Sequence, residues 1–161
     1  MEDEQLIKEF HRTNVIIWIA IIVTVVVLGI IIYIIDDMKL FQPILNAAQI
    51  NQIIFFLAVV LAFAILFLKR SFFLPEKIVS KIPDNPLEEM ISLCLVQIRK
   101  NYIIVWGLGE AIVVLGFINY ILTVDFQYFL VFSVVGVYSI LINIPRIVLP
   151  INCLERIREA N

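Results

Sequence analysis

Hydrophobic residues in this chain are gathered in four long runs, which short polar stretches separate. The runs cover residues 15–35, 50–68, 102–122 and 126–144. A helix rises about 1.5 Å per residue, so about 20 residues reach about 30 Å, the thickness of the hydrocarbon core of a bilayer. Glu110 is the only acidic or basic residue inside the four runs. The pattern therefore predicts four membrane-spanning segments.

The runs are predicted to be helices, although they are rich in β-branched residues. Backbone amides in lipid must be hydrogen-bonded within the segment or within a closed barrel, and the alternating pattern of barrel strands is absent. A cleaved signal peptide would end in small residues, whereas the first run is followed by Asp36, Asp37 and Met38. We therefore expect an all-α polytopic membrane protein, a four-transmembrane-helix bundle that forms one domain over residues 1–161.

Basic residues indicate how the four helices are oriented. Residues 1–14, 69–101 and 146–161 carry 2, 6 and 3 of the 12 Lys and Arg residues, and Lys39 is the remaining one. Loops with an excess of Lys and Arg stay in the cytoplasm. The sequence thus predicts a multi-pass protein of the cell membrane, with both termini and the loop 69–101 cytoplasmic.

The loop 69–101 is expected to contain a helix. Asn85, Pro86 and Glu88 form a pattern typical of a helix start, with a capping residue, a first-turn proline and an early acid. Apolar residues then recur at helical spacing up to the third run. We expect the third helix to begin near Pro86 and to extend well into the cytoplasm.

Composition agrees with a membrane protein and excludes several classes of function. The chain is 62% apolar and 16% charged, with a mean hydropathy of +1.02, far from the averages of soluble domains. A net charge of -2 without a basic cluster gives no support to nucleic-acid binding. Phosphate-binding glycine loops and the HExxH and GxSxG patterns are absent. We expect no enzyme activity and no cofactor.

Metal-binding chemistry is not expected either. The single histidine, His11, has no Cys or His at the spacing of metal ligands. Cys94 and Cys153 both fall on the predicted cytoplasmic side, where structural disulfides are rare, so we interpret them as packing residues.

Glu110 is the residue whose position most needs an explanation. A charge at its depth in the third run costs a few kcal/mol, so the carboxyl is expected to be hydrogen-bonded. Counting inward from each cytoplasmic boundary places Thr24, Tyr138 and Ser139 at similar depth. Two hypotheses remain open: a neutral carboxyl that locks helices together, or a site for proton or cation binding made by Glu110 with these three residues.

Small residues near Glu110 indicate close helix packing. Gly107 and Ala111 form a small-xxx-small pair, a pattern that lets two helices approach closely in a membrane. Gly116 further along the third run and Gly136 in the fourth are predicted to serve the same purpose.

The stretch from Ile98 to Leu122 resembles the carboxylate-bearing helix of rotary ATP synthase proteolipid subunits. In both, an acid is followed by Ala and by a glycine six residues beyond, here Glu110, Ala111 and Gly116. The resemblance implies proton or sodium binding at Glu110. It covers this helix alone, because proteolipid subunits have a glycine-rich partner helix and residues 50–68 contain no glycine.

The whole chain is similar to small four-helix bacterial membrane proteins of unknown role. Those proteins share a glutamate in the third helix and a proline and arginine near the end of the fourth, as Pro145 and Arg146 are here. The similarity implies an architecture and no activity. The leading hypothesis is therefore a non-enzymatic accessory or assembly subunit, whose partners are the lipid bilayer and other membrane subunits or a second copy of itself. The alternative is proton or cation translocation through Glu110.

Overall fold

The computed structural model describes residues 2–43 and 47–160, and the regular secondary structure within them is all α-helix. This confirms the all-α prediction. Its helices are α1 (Glu2–Asp37), α2 (Ala47–Phe72), α3 (Pro75–Val79), α4 (Leu87–Thr123), α5 (Phe126–Leu141) and α6 (Val148–Ala160). By length and composition, α1, α2 and α4 can each cross a membrane, whereas α5 is an apolar helix of 16 residues.

Helix α4 is the centre of the fold, since it packs against each of the other five helices. One apolar cluster joins α4 to α1, α3 and α6, with Trp106 and Ile98 fully buried in it. A second cluster fills the space between α2, α4 and α5, around Ile112 and Phe132. Because α4 contributes to both clusters, its position determines where the other helices lie.

The predicted long third helix is present as α4, which is 37 residues, or about 55 Å, long. It begins at Leu87, directly after Pro86, and Glu88 and Glu89 lie in its first turn, where acids stabilise the helix dipole. The expected cap at Asn85 is wrong, because Pro86 itself occupies the capping position and no side chain caps the helix there.

A tight turn joins α4 to α5. Val124 adopts the left-handed conformation, with φ at 56°, and its amide donates to the Tyr120 carbonyl. The side chain of Asp125 then accepts hydrogen bonds from the amides of Gln127 and Tyr128, which caps the start of α5. This turn makes α4 and α5 antiparallel neighbours.

Helix α5 ends at Leu141, before the predicted boundary at residue 144. Proline lacks an amide hydrogen and disfavours the helical conformation of the residue before it. Pro145 therefore forces the chain out of the helix, and residues 142–144 form tighter turns in which the Asn143 amide donates to Ile140.

The chain after Arg146, predicted only as a polar tail, contains the amphipathic helix α6. Its buried side chains include Cys153, Leu154 and Ile157, which belong to the apolar cluster shared with α3 and α4. Arg156 of α6 also pairs with Glu76 of α3 at 2.9 Å. The polar segments at this end of the molecule therefore form a small packed layer against the first half of α4.

Candidate functional site

Glu110 lies half-buried on the face of α4 that is turned towards α2. It lines an open groove of about 490 Å³ between the two helices. Leu57 and Leu61 of α2 form one wall, and Val114 and Leu115 of α4 continue the other. The groove is thus apolar except for the single carboxyl group.

The floor of this Glu110 groove is formed by small residues. Gly107 is exposed, and a Cβ atom added to it would meet no atom within 4 Å. Ala111, one helical turn further, also lines the groove. The small-xxx-small pair therefore faces open space beside Glu110, and no helix within the described chain occupies that space.

The structure does not bring Thr24, Tyr138 or Ser139 to Glu110. The Thr24 hydroxyl donates to Ala20 of its own helix at 3.1 Å, and the Ser139 hydroxyl donates to Val135 at 2.8 Å. Tyr138 is 64% exposed on the outside of α5. Within residues 2–43 and 47–160, Glu110 forms neither a hydrogen bond nor an ion pair.

The reason lies in the direction in which Glu110 points. Successive residues of a helix are rotated by about 100°. Gly109 and Val113 are among the α4 residues that contact α5, so Glu110, one position from Gly109, is turned away from α5. Position along each helix could be counted from the sequence, but the rotation of the helix about its axis could not.

The predicted packing glycines Gly116 and Gly136 lie in the contact between α4 and α5. A Cβ atom at Gly116 would come within 2.7 Å of the Phe132 Cβ, and one at Gly136 within 2.5 Å of Val113 Cγ2. Gly109 belongs to the same contact, with its carbonyl oxygen 2.6 Å from the Cβ position of Gly136. Gly109 and Gly116 are seven residues apart, about two helical turns, and this spacing could have placed them on the same face of α4 from the sequence.

A second polar arrangement, which the sequence analysis missed, surrounds the end of α5. Helix ends leave carbonyl groups without partners inside the helix. Here the indole of Trp18 donates to the Ile140 carbonyl at 3.1 Å, and the indole of Trp106 donates to the Asn143 carbonyl at 2.8 Å. Lys69 lies 3.5 Å from the Ile142 carbonyl. Donors from α1, α2 and α4 therefore cap a single helix end.

Neither arrangement has the composition of a metal centre. In the part of the chain that the structure describes, His, Cys, Asp and Glu side chains do not gather in groups of three that could hold a metal ion. Cys94 and Cys153 are both free and buried.

Comparison with known proteins found no matching family model, no matching curated protein and no matching solved structure.

Proposed function

We propose that this chain is a non-enzymatic accessory or assembly subunit of a membrane complex, which docks a transmembrane helix of a partner protein in the Glu110 groove. The observation that carries the proposal is an unpartnered carboxyl group beside small residues in an open apolar groove. The partner helix would bring a hydrogen-bond donor to the depth of Glu110.

Energetics favour an occupant of this kind. A charged acidic side chain at the centre of a membrane helix costs about 3 kcal/mol on the scale of membrane insertion. A hydrogen bond from a neighbouring helix recovers about 1 kcal/mol, and close approach over Gly107 and Ala111 adds packing contacts. Lipid tails offer neither a hydrogen-bond donor nor a complementary packing surface. A helix that carries a polar side chain therefore binds this groove better than lipid does.

The proposed placement has four spans, with both termini and the loop 69–101 on the cytoplasmic side of the cell membrane. Helices α1, α2 and α4 are each long and apolar enough to cross the membrane. Helix α5 has 16 residues and reaches only about 24 Å, so at least one of its ends must lie inside the hydrocarbon region. The three donors on its last carbonyls support this, because backbone groups there cannot rely on water.

Site-specific photo-crosslinking tests the docked helix. A photoreactive amino acid at Val114, in the groove, should crosslink one defined membrane protein in the native host. The same residue at Val134, which is 67% exposed on α5, serves as the matched lipid-facing control and should give no such product. Equal products from both positions, or only lipid adducts from the groove, would refute the proposal. A crosslinked product with the mass of two copies of this chain would show that a second copy, and not a partner protein, occupies the groove.

Substitutions in the groove separate docking from ion transport. Gly107→Leu fills the groove, and Glu110→Leu removes the polar group, so both should abolish the crosslink while the isolated chain stays folded. Glu110→Gln retains a donor and an acceptor and should keep the crosslink. If Glu110 instead carries a proton or cation, Glu110→Gln abolishes ion flux in liposomes although the crosslink persists. Such a loss of flux would establish the translocation hypothesis in place of the subunit hypothesis.

A further inference from the structure

Two cations, Lys69 and Arg146, line a cleft that lies away from Glu110, beside the end of α5. A cleft of about 360 Å³ opens where α2, α3, α4 and the start of α6 meet. Lys69 and Arg146 line it, and none of its described lining residues is acidic. The nearest acid in sequence, Glu76, is already paired with Arg156.

Both cations retain free hydrogen-bond donors. Lys69 makes only a long contact of 3.5 Å to the Ile142 carbonyl, which leaves further ammonium hydrogens unused. The Arg146 side chain is exposed and forms no ion pair within residues 2–43 and 47–160. Two cations at one cleft without a counterion repel each other, so an anion that enters the cleft relieves the repulsion.

A buried hydroxyl adds a third donor. Tyr102 is 4% exposed and lines the cleft. Its oxygen accepts a hydrogen bond from the Arg146 amide at 3.1 Å, and its own hydroxyl hydrogen has no acceptor among the described residues. Ring contacts with Phe73 and Trp106, at centroid distances of 4.8 and 5.1 Å, hold the tyrosine in place.

The first residues of α6 complete the surroundings of the cleft. Val148 and Leu149 line it at the amino-terminal end of the helix, where the helix dipole favours negative charge. Asn152 adds a side-chain amide. Apolar side chains frame the entrance, and of these Ile144 is 43% and Val148 57% exposed.

We propose that this cleft is a binding site for a phosphate group, held by Lys69, Arg146 and the Tyr102 hydroxyl. The apolar entrance and the position of the cleft at the ends of α2 and α5 favour the phosphate of an anionic glycerophospholipid over a free phosphate compound. The site requires the membrane placement proposed above, but it does not require the partner helix.

Native mass spectrometry of the purified full chain in mild detergent tests the site. Phosphatidylglycerol should bind about tenfold more tightly than phosphatidylcholine, because each cation near an anionic headgroup contributes to affinity. Lys69→Gln with Arg146→Gln should remove this preference. The matched control is Arg70→Gln with Lys100→Gln, which removes the same charge from exposed residues outside the cleft and should keep it.

Two further measurements keep the test decisive. If the double variant does not fold, Asn152→Glu should weaken phosphatidylglycerol binding while Asn152→Gln does not, since Asn152 is exposed and tolerates either change. If inorganic phosphate displaces the lipid and raises the unfolding temperature of the unsubstituted chain, the ligand is a free phosphate compound. Failure of inorganic phosphate to compete would identify the lipid.

The proposal would be overturned if the cleft variants kept their preference for phosphatidylglycerol. It would also be overturned if the Arg70 and Lys100 control lost this preference to the same extent. Gly107→Leu, which fills the Glu110 groove, should leave lipid binding unchanged. Failure of this site and failure of the partner-docking proposal are therefore distinguishable.

Discussion

At the scale of single residues, the glycines of this chain have very different surroundings. Gly136 lies where α4 and α5 are closest, with no room for a methyl group beside Val113 and the Gly109 carbonyl. Gly107 lies three residues before Glu110 and faces open space. Both are helical glycines in membrane-type sequence, and the sequence alone assigned them the same packing role.

This difference predicts opposite effects of the same substitution. Gly136→Ala should lower the free energy of unfolding by about 1–3 kcal/mol, because the new Cβ forces α4 and α5 apart. Gly107→Ala is the matched control and should raise it by about 0.5–1 kcal/mol, because alanine is the better helix former. Unfolding of each purified variant in mild detergent provides the measurement. A tolerated Gly136→Ala would contradict the close contact between the two helices.

At the scale of elements, the position of α6 was the least predictable part of the fold. Eight of the 15 residues after Arg146 are apolar, but they form no long hydrophobic run, and α6 buries only a narrow stripe of them against α3 and α4. The first span, by contrast, was predictable, although α1 extends beyond it to Glu2. Long uniform hydrophobicity identifies a membrane helix without tertiary information, whereas a short amphipathic helix depends on the surface that it covers.

The two cysteines report whether α6 is docked. Cys94 of α4 and Cys153 of α6 are fully buried in the same apolar cluster. In the native chain both thiols should therefore react with a maleimide much more slowly than a cysteine introduced at exposed Ser80.

A substitution in α6 that detaches the helix should expose both thiols. Ile157 is fully buried in the apolar cluster on the same side of α6, so Ile157→Asp should detach the helix and make both thiols reactive together. Quantitative mass spectrometry of the labelled peptides gives the two rates. Fast labelling of either cysteine in the unsubstituted chain would show that α6 does not cover α4 in this way.

At the scale of the whole molecule, the sequence predicted the helical class and the long α4. It could not predict the neighbours of Glu110, because these depend on how each helix is rotated and which helices touch. It also missed the capping of α5 by Trp18, Trp106 and Lys69, since donors from three distant segments meet only in the folded chain. The length of the hydrophobic runs thus predicted helices correctly, whereas sequence position alone did not predict which side chains meet at a site.

The phosphate cleft depends on α5 crossing the membrane, because with three spans α6 would lie on the opposite side of the membrane from α3 and could not meet Lys69 and Tyr102. Single cysteines introduced at exposed positions of a chain with Cys94 and Cys153 replaced by alanine decide this directly. In intact cells an impermeant thiol reagent should label Lys39→Cys and Gln127→Cys. It should label Ser80→Cys and Glu155→Cys only after lysis. Labelling of Glu155→Cys in intact cells, with Ser80→Cys still protected, would contradict the four-span arrangement.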